Sequence, residues 1–397
     1  MKISILKESL GIGGMERSAS NFSCALSKKH EVTTVLYYSD IMAYPYGGKL
    51  YNMELPAKKS KSGKLVNNFR RAICYKRHIR EFNPDIAFQF LMLRSPVGFL
   101  KLKNSVKIVS GRDFSAVSRD HKLFKKRLDT SDAMICNSNY IKDFFVEKYP
   151  EDKKKVFTVQ NIINVDFIKI QAEEKAEESF LEFKKNHTRL IVSVGRFCKE
   201  KAFEHLISAF SKVHKVMSGI GLVLVGDGEY KERYNRTIDE LGLTGDVYFT
   251  GYQINPYKYM SKCDLFVLSS LSEGFPNVLA EAMALSVPVI SVNCFSGPAE
   301  ILMDDYDYEI AKDSFVECDY GVLTPSYNVN GIDFAVEKMS EAIVHMLSNE
   351  KLMQKYGALS VERAEEFSAS SAVKKLEDVF ETLVSRKLGY QSSPKEK

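Results

Sequence analysis

The sequence predicts an α/β protein made of two similar halves, each built on a parallel sheet. Three observations carry this. Short apolar runs alternate with amphipathic runs of helical period along the whole chain, the pattern of parallel strands flanked by helices. A length of 397 residues suits about two domains. Near residue 170 the alternation is interrupted by a stretch, 171–186, rich in Glu and Lys and poor in apolar residues, which reads as a connector or a solvated helix, and a second series then begins.

In the first half the expected strands are 2–6, 32–37, 86–90, 107–109, 133–136 and 156–159. Helical stretches at 17–28 and 66–82 lie between them. The second carries Phe69, Ile73 and Ile79 at near-helical spacing and stops before Pro84, since the residue ahead of a proline is pushed out of helical geometry. The second half reads as strand 189–194, helix 202–216, strand 221–225, helix 230–241, strands 247–250 and 265–269, helix 276–285 and strand 288–292. Amphipathic runs at 334–348 and 371–386 follow, and 389–397 reads as a frayed tail. Two such halves place a cleft between them. Ligands of parallel sheets bind beyond the carboxyl ends of the strands, so motifs that directly follow strands matter most.

Composition narrows the function classes. With 45% hydrophobic and 27% charged residues the chain is neither disordered, collagenous nor a coiled-coil rod. A net charge of +5 does not demand nucleic acid, which leaves a clustered basic footprint. Cys24, Cys74, Cys136, Cys198, Cys263, Cys294 and Cys318 are scattered singly without a C-x-x-C, and so read as free thiols rather than disulfides or a zinc site. The apolar N-terminal run is too short for a secretion signal, and no uninterrupted span approaches the roughly 18–20 residues of a membrane helix. The expected place is the cytoplasm, with attachment to a membrane surface open.

Four motifs follow strands. Gly13-Gly14-Met15-Glu16-Arg17 lets backbone approach a ligand at a helix N-terminus, and reads equally as a tight turn. Gly195-Arg196 and, ahead of a helix, Lys201 place two cations at a strand–helix junction, where a diphosphate or plain solvent would suit them. The most specific is Ser272-Glu273-Gly274-Phe275-Pro276-Asn277-Val278-Leu279-Ala280-Glu281. Pro276 is well placed in a first helical turn, the amides around it would face an anion, and Glu273 and Glu281 could accept hydrogen bonds from vicinal hydroxyls. A helix-dipole role explains Glu273 but not Glu281. The fourth, Ser296-Gly297-Pro298-Ala299-Glu300, could line the same pocket. Gly226-Asp227-Gly228 is a turn and a second phosphate candidate. Asp305-Tyr306-Asp307 has a metal-binding form but no strand leading into it, and no histidines pair at ligand spacing, so no metal is expected.

With these residues in place the chain resembles a retaining glycosyltransferase of family 4, of the type that builds bacterial surface polysaccharides. The likeness is strongest over 190–302, through the Glu-x7-Glu pattern of Glu273 and Glu281. It includes the Gly-Gly-x-Glu-Arg run at Gly13 and the segment 132–138 with Asn161. The resemblance implies a GT-B fold, two Rossmann-like domains facing across a cleft. It implies an acceptor-binding domain at 1–165, a connector at 166–187, a nucleotide-sugar donor domain at 188–366, and a helix at 367–388 packing back on the first domain. Residues 389–397 are then a flexible tail. By implication Arg196 and Lys201 hold the donor diphosphate, Glu281 the ribose and Glu273 the donor sugar. Gly14, Gly195, Gly226 and Gly274 with Phe275, Asn277, Val278 and Leu279 line the donor site. No cofactor is implied beyond a UDP- or GDP-linked sugar as substrate. The chain departs from the family twice: Ala202 stands where Gly is frequent, and Arg112-Asp113 where many members carry His, which leaves Arg112 and Asp113 as candidates for phosphate and proton handling and His121 as a further one.

Residues 1–165 carry 30 basic and 15 acidic side chains and the remainder 26 and 36, so the small net charge hides a +15 and a −10 half. The excess gathers at Lys58, Lys59, Lys61, Lys64, Arg70, Arg71, Lys76, Arg77 and Arg80 and again over 119–127. Basic residues beside apolar ones suit an anionic membrane leaflet. They equally suit a solvated helix face. The resemblance implies a lipid-linked, polyprenyl-diphosphate saccharide as acceptor, for O-antigen, capsule or a related glycan, and an enzyme peripheral on the inner membrane face. A sugar-nucleotide epimerase or hydrolase of the same fold, and an inactive scaffold, are the alternatives. Donor base, sugar, linkage and oligomeric state are not legible.

Overall fold

The computed structural model describes residues 1–388 apart from Phe295, so the tail expected at 389–397 lies outside the described residues. Contacts divide the chain into two units, Met1–Ile162 with the segment from Ala369, and Ile163–Ser368.

The first unit begins with β1 (Lys2–Lys7), α1 (Gly14–Leu26), β2 (Glu31–Leu36), β3 (Lys49–Asn52), α2 (Lys61–Phe82), β4 (Ile86–Gln89) and β5 (Val106–Gly111). It continues with α3 (Phe114–Arg119), α4 (His121–Leu128), β6 (Ala133–Cys136), α5 (Asn139–Lys148) and β7 (Val156–Thr158). The strands form one parallel sheet in the order β3-β2-β1-β4-β5-β6-β7. Ile5 pairs with Thr34 on one side and Phe88 on the other. The order reverses between β1 and β4, which opens a crevice at their carboxyl ends. Strands β1, β2, β4, β5 and β6 are buried almost throughout, hence their largely apolar sequences. Helix α2 starts at Ser60, whose Oγ accepts the Gly63 N–H, and ends at Asn83 in the left-handed region just before Pro84. Its inward side chains are Asn67, Tyr75 and His78. Phe69 and Ile73, which periodicity picked as an apolar face, point to solvent.

The second unit holds α6 (Val165–Ala172), α7 (Glu178–Lys185), β8 (Arg189–Val194), α8 (Phe203–Val216), β9 (Ile220–Val225), α9 (Lys231–Glu240), β10 (Val247–Gly251), α10 (Tyr257–Met260) and β11 (Leu265–Leu268). Then come α11 (Asn277–Ala284), β12 (Val289–Val292), α12 (Gly297–Leu302), β13 (Val316–Glu317), β14 (Val322–Thr324), α13 (Ile332–Leu347) and α14 (Glu350–Glu365). Its sheet runs β10-β9-β8-β11-β12-β14-β13, parallel except for β13, with the reversal between β8 and β11. One face is covered by α6, α7, α10, α11 and α12, the other by α8, α9, α13 and α14. The stretch expected to be a connector, 166–187, is thus two helices of this unit. Phe180 of α7 is fully buried against Tyr248 and Tyr259. Helix α15 (Ala369–Leu388) belongs to the first unit, where Ala372, Val373, Leu376, Phe380 and Leu383 join the core of β1, β4 and β5.

Candidate functional site

In the second unit the motifs after β8, β9, β11 and β12 converge on the crevice where the strand order reverses. Lys201 ends a short 3-10 turn after β8, and its Nζ lies 2.5 Å from Glu273 Oε1 in the loop after β11. Ser270 Oγ donates to the same oxygen at 2.7 Å. Burial opposes the Lys201 charge, but the Glu273 carboxylate outweighs it and holds the ammonium above its ordinary range. Backbone bonds tie the two loops: Leu271 N–H donates to Glu200 O, and Ser269 Oγ to Lys201 O. Residues 72 positions apart in sequence therefore form one charged pair. Arg196 lies exposed beside them in sequence.

Gly195 and Gly226 meet each other before they meet any ligand. Gly226 has φ +150°, and a Cβ there would lie 1.9 Å from Gly195 O. Phe197 N–H donates to Asp227 O. The Gly-Asp-Gly turn, expected as a phosphate candidate, thus packs on the backbone of the Arg196 loop and sets its path. Ala202, where the family favours Gly, has φ +50° and ψ +37°, a conformation glycine adopts at no cost.

Pro276 caps α11 and Asn277 opens it. Of the expected amide cradle, Leu279 N–H is already bonded to Pro276 O and its side chain is fully buried, so that amide is engaged within the helix end. Glu281 is 1% exposed on α11. The fourth motif braces the third: Gly297 N–H and Ser296 Oγ both donate to Gly274 O. A Cβ on Gly297 would lie 2.6 Å from Pro276 Cδ. Asp305 and Asp307 are exposed on the loop after α12, and Asp307 Oδ1 accepts the Glu309 N–H. Among the described residues no group of three or more His, Cys, Asp or Glu side chains is arranged to hold a metal.

In the first unit Gly14 opens α1, and a Cβ there would meet nothing within 4 Å. Beneath this turn lies a group the sequence reading missed. Lys7, 2% exposed at the end of β1, is paired with Glu8 at 2.5 Å and Glu16 at 3.1 Å. A lysine closing a buried strand, nine residues ahead of the motif's Glu, was the available signal. Arg112 is 8% exposed. Its Nη1 donates to Asn161 Oδ1 at 2.5 Å, which also accepts from Ser18 Oγ, and its guanidinium lies over the rings of Phe22 and Phe90. Burial pushes the guanidinium down to about 9. Nε and Nη2 are buried without a hydrogen-bond partner. Asp113, a candidate for proton handling, caps α3, accepting from Ala116 N–H at 3.1 Å and Ser115 Oγ at 2.8 Å. His121 Nδ1 is 2.8 Å from Tyr149 Oη. Two cations of the second basic run are spent on the protein: Arg127 is buried and donates to Leu91 O, and Lys125 pairs with Asp129 and Asp152, while Arg119, Lys122 and Lys126 are exposed.

Two family models match the chain, the one described as Glycosyltransferase Family 4 over residues 12–167 and the one described as Glycosyl transferases group 1 over residues 174–358. The chain belongs to the family 4 glycosyltransferases. An uncharacterised glycosyltransferase of Methanocaldococcus jannaschii is 28% identical over 62% of this chain and 62% of its own length. The glycosyltransferase is also 27% identical to N-acetylgalactosamine-N,N'-diacetylbacillosaminyl-diphospho-undecaprenol 4-alpha-N-acetylgalactosaminyltransferase of Campylobacter jejuni, over 92% of this chain and 95% of that one. Among solved structures, the Anabaena protein HepE in complex with UDP superposes with a TM-score of 0.71 at 16% identity, covering 96% of this chain and 100% of that one. The fold is GT-B.

Proposed function

We propose that this glycosyltransferase moves a hexose or N-acetylhexosamine, with retention, from a UDP- or GDP-linked sugar to a polyprenyl-diphosphate-linked saccharide during surface-glycan synthesis. The observation that carries the reading is the Lys201–Glu273 pair beside the N-terminus of α11. Breaking the sugar–phosphate bond puts negative charge on the departing diphosphate. Arg196, Lys201 and the first amides of α11 stabilise it, and they do so without a resident metal. Glu273, released as Lys201 turns to the diphosphate, accepts from the donor sugar, and Glu281 accepts from the ribose hydroxyls. Arg112, with no carboxylate paired to it among the described residues, adds positive potential at the ends of β5 to β7.

The lipid-linked acceptor is supported by the Campylobacter relative's name and by the exposed face of α2. Leu65 and Phe69 are 73% and 69% exposed, Val66 and Ile73 lie beside them, and Lys61, Lys64, Arg70, Lys76, Arg77 and Arg80 surround them. Among the described residues no helix is long and apolar enough to cross a membrane, so attachment rests on this surface.

Thermal shift against a panel of UDP- and GDP-sugars tests the donor, since a ligand at about 100 times its dissociation constant adds about 2.7 kcal/mol. Lys201→Ala should lower turnover about 10²–10³-fold, the cost of one lost donor to a developing anion. Wild-type turnover in that variant, or donor breakdown that ignores every acceptor, would overturn the reading.

A further inference from the structure

Beyond the carboxyl ends of β12 and β14 the second domain holds a cavity of about 390 Å³ that contains none of the donor-site residues named above. Its base is Asn293, directly after β12. Its walls are Ser326, Asn328, Val329 and Asn330 after β14, and its roof is the segment 308–312. Asn293 is 4% exposed. Its Nδ2 donates to the carbonyls of Tyr308 and Ile310 at 3.0 and 2.9 Å, which holds the roof in place. Its Oδ1 is buried with no hydrogen-bond partner. Thr324, whose carbonyl accepts the Asn293 N–H, also has a buried, unpartnered hydroxyl. Asn330 Nδ2 reaches Lys312 O across the mouth, and Lys312 is paired with Glu309.

The lining sets the ligand's chemistry. Its one cation is neutralised by Glu309, so an anion gains nothing there. Its amides and hydroxyls would waste a lipid chain. Asn side chains that both donate and accept, next to a Tyr and small aliphatic groups, fit vicinal hydroxyls on a compact ring. A ligand hydroxyl would also satisfy the Asn293 oxygen, which buried polar groups rarely go without. The cavity lies on the same sheet edge as the donor loop. Asn293 lines the one, and Ser296 and Gly297 brace the other.

We propose that this cavity is a saccharide subsite that takes a neutral pyranose unit. The inference rests on the transferase reading for the sugar's source, which is either a residue of the acceptor glycan or free sugar. Saturation-transfer NMR with free glucose, N-acetylglucosamine and N-acetylgalactosamine tests it on the full chain. The expected result is transfer to at least one sugar, kept in Lys201→Ala and reduced at least about fivefold in Val329→Trp, which fills the cavity. Asn328→Leu, at an exposed position, should reduce it as well and serves if Val329→Trp does not fold. No transfer to any sugar, or transfer lost in Lys201→Ala and kept in Val329→Trp, overturns the subsite. The disaccharide N,N'-diacetylchitobiose separates the sources: tighter binding than the monosaccharide points to a glycan chain, equal binding to free sugar. Thermal shift by nucleotide sugars, read on the same samples, fails if the transferase reading is wrong and leaves the sugar result standing.

Discussion

A carboxylate just past a strand can serve a ligand or the backbone beside it, and Asp113 does the second. Its Oδ1 holds the first turn of α3. Asp113→Ala should therefore cost about 0.5–2 kcal/mol in urea denaturation, with turnover unchanged; a stable variant that has lost turnover would return the residue to the chemistry. The neighbouring Arg112 could not be placed from sequence either, because Phe22, Phe90 and Asn161, which enclose it, are scattered along the chain. Glu273 and Lys201 were legible because strand–loop–helix punctuation brings such residues to one sheet edge. That they pair with each other depends on the β8–β11 neighbourhood.

Elements show the same division. Buried parallel strands announce themselves as apolar runs. The short strands β3, β13 and β14 do not, and went unread. So did α14, whose Gly357 reads as a breaker but sits where a Cβ would come within 2.9 Å of Ser286 O. Gly226 is the reverse case, a motif glycine whose function is contact between loops. Gly226→Ala should destabilise by about 1–3 kcal/mol or more and remove the thermal-shift response to nucleotide sugars; a stable variant with normal donor binding would show that the turn can give way. Helix α2 carries a pH signature. His78, packed between the rings of Tyr51 and Phe82 with its Nε2 3.1 Å from Ser4 Oγ, is pushed down to about 4 by burial. The unfolded chain then binds the proton more readily, so this stability is present above about pH 6.5 and lost as pH falls toward 4, on the order of 3 kcal/mol in all. His78→Phe should flatten the stability–pH curve across that window, measured by urea midpoints. An unchanged slope would mean other groups govern acid unfolding.

For the whole molecule, the net +5 is the remainder of a basic first half and an acidic second half. In the structure the longest exposed run of the basic excess lies on α2 and the segment before it, while Arg127 and Lys125 of the second run are committed to carbonyls and carboxylates. The chain should float with phosphatidylglycerol vesicles and not with phosphatidylcholine ones, at about 1 kcal/mol per cation near the surface. Binding should disappear near 1 M salt, where the screening length is about 3 Å, and in Phe69→Asp/Ile73→Asp. Equal binding to neutral vesicles would leave charge out of the account.

The sequence by itself determined the α/β class, the two series of elements, the Glu273–Glu281 signature and the charge split. Each is written locally, in the period of apolar residues or in a short run after a strand. The tertiary structure decided the rest. It decided that 166–187 belongs to the second unit, that the apolar stripe of α2 faces solvent, that Asp113 caps a helix, and that Lys7, unnoticed in the chain, is locked between two carboxylates. The fate of 166–187 and of the α2 stripe depends on packing partners far along the chain, and even the near neighbours of Asp113 and Lys7 come within a hydrogen bond only through the turns the fold imposes.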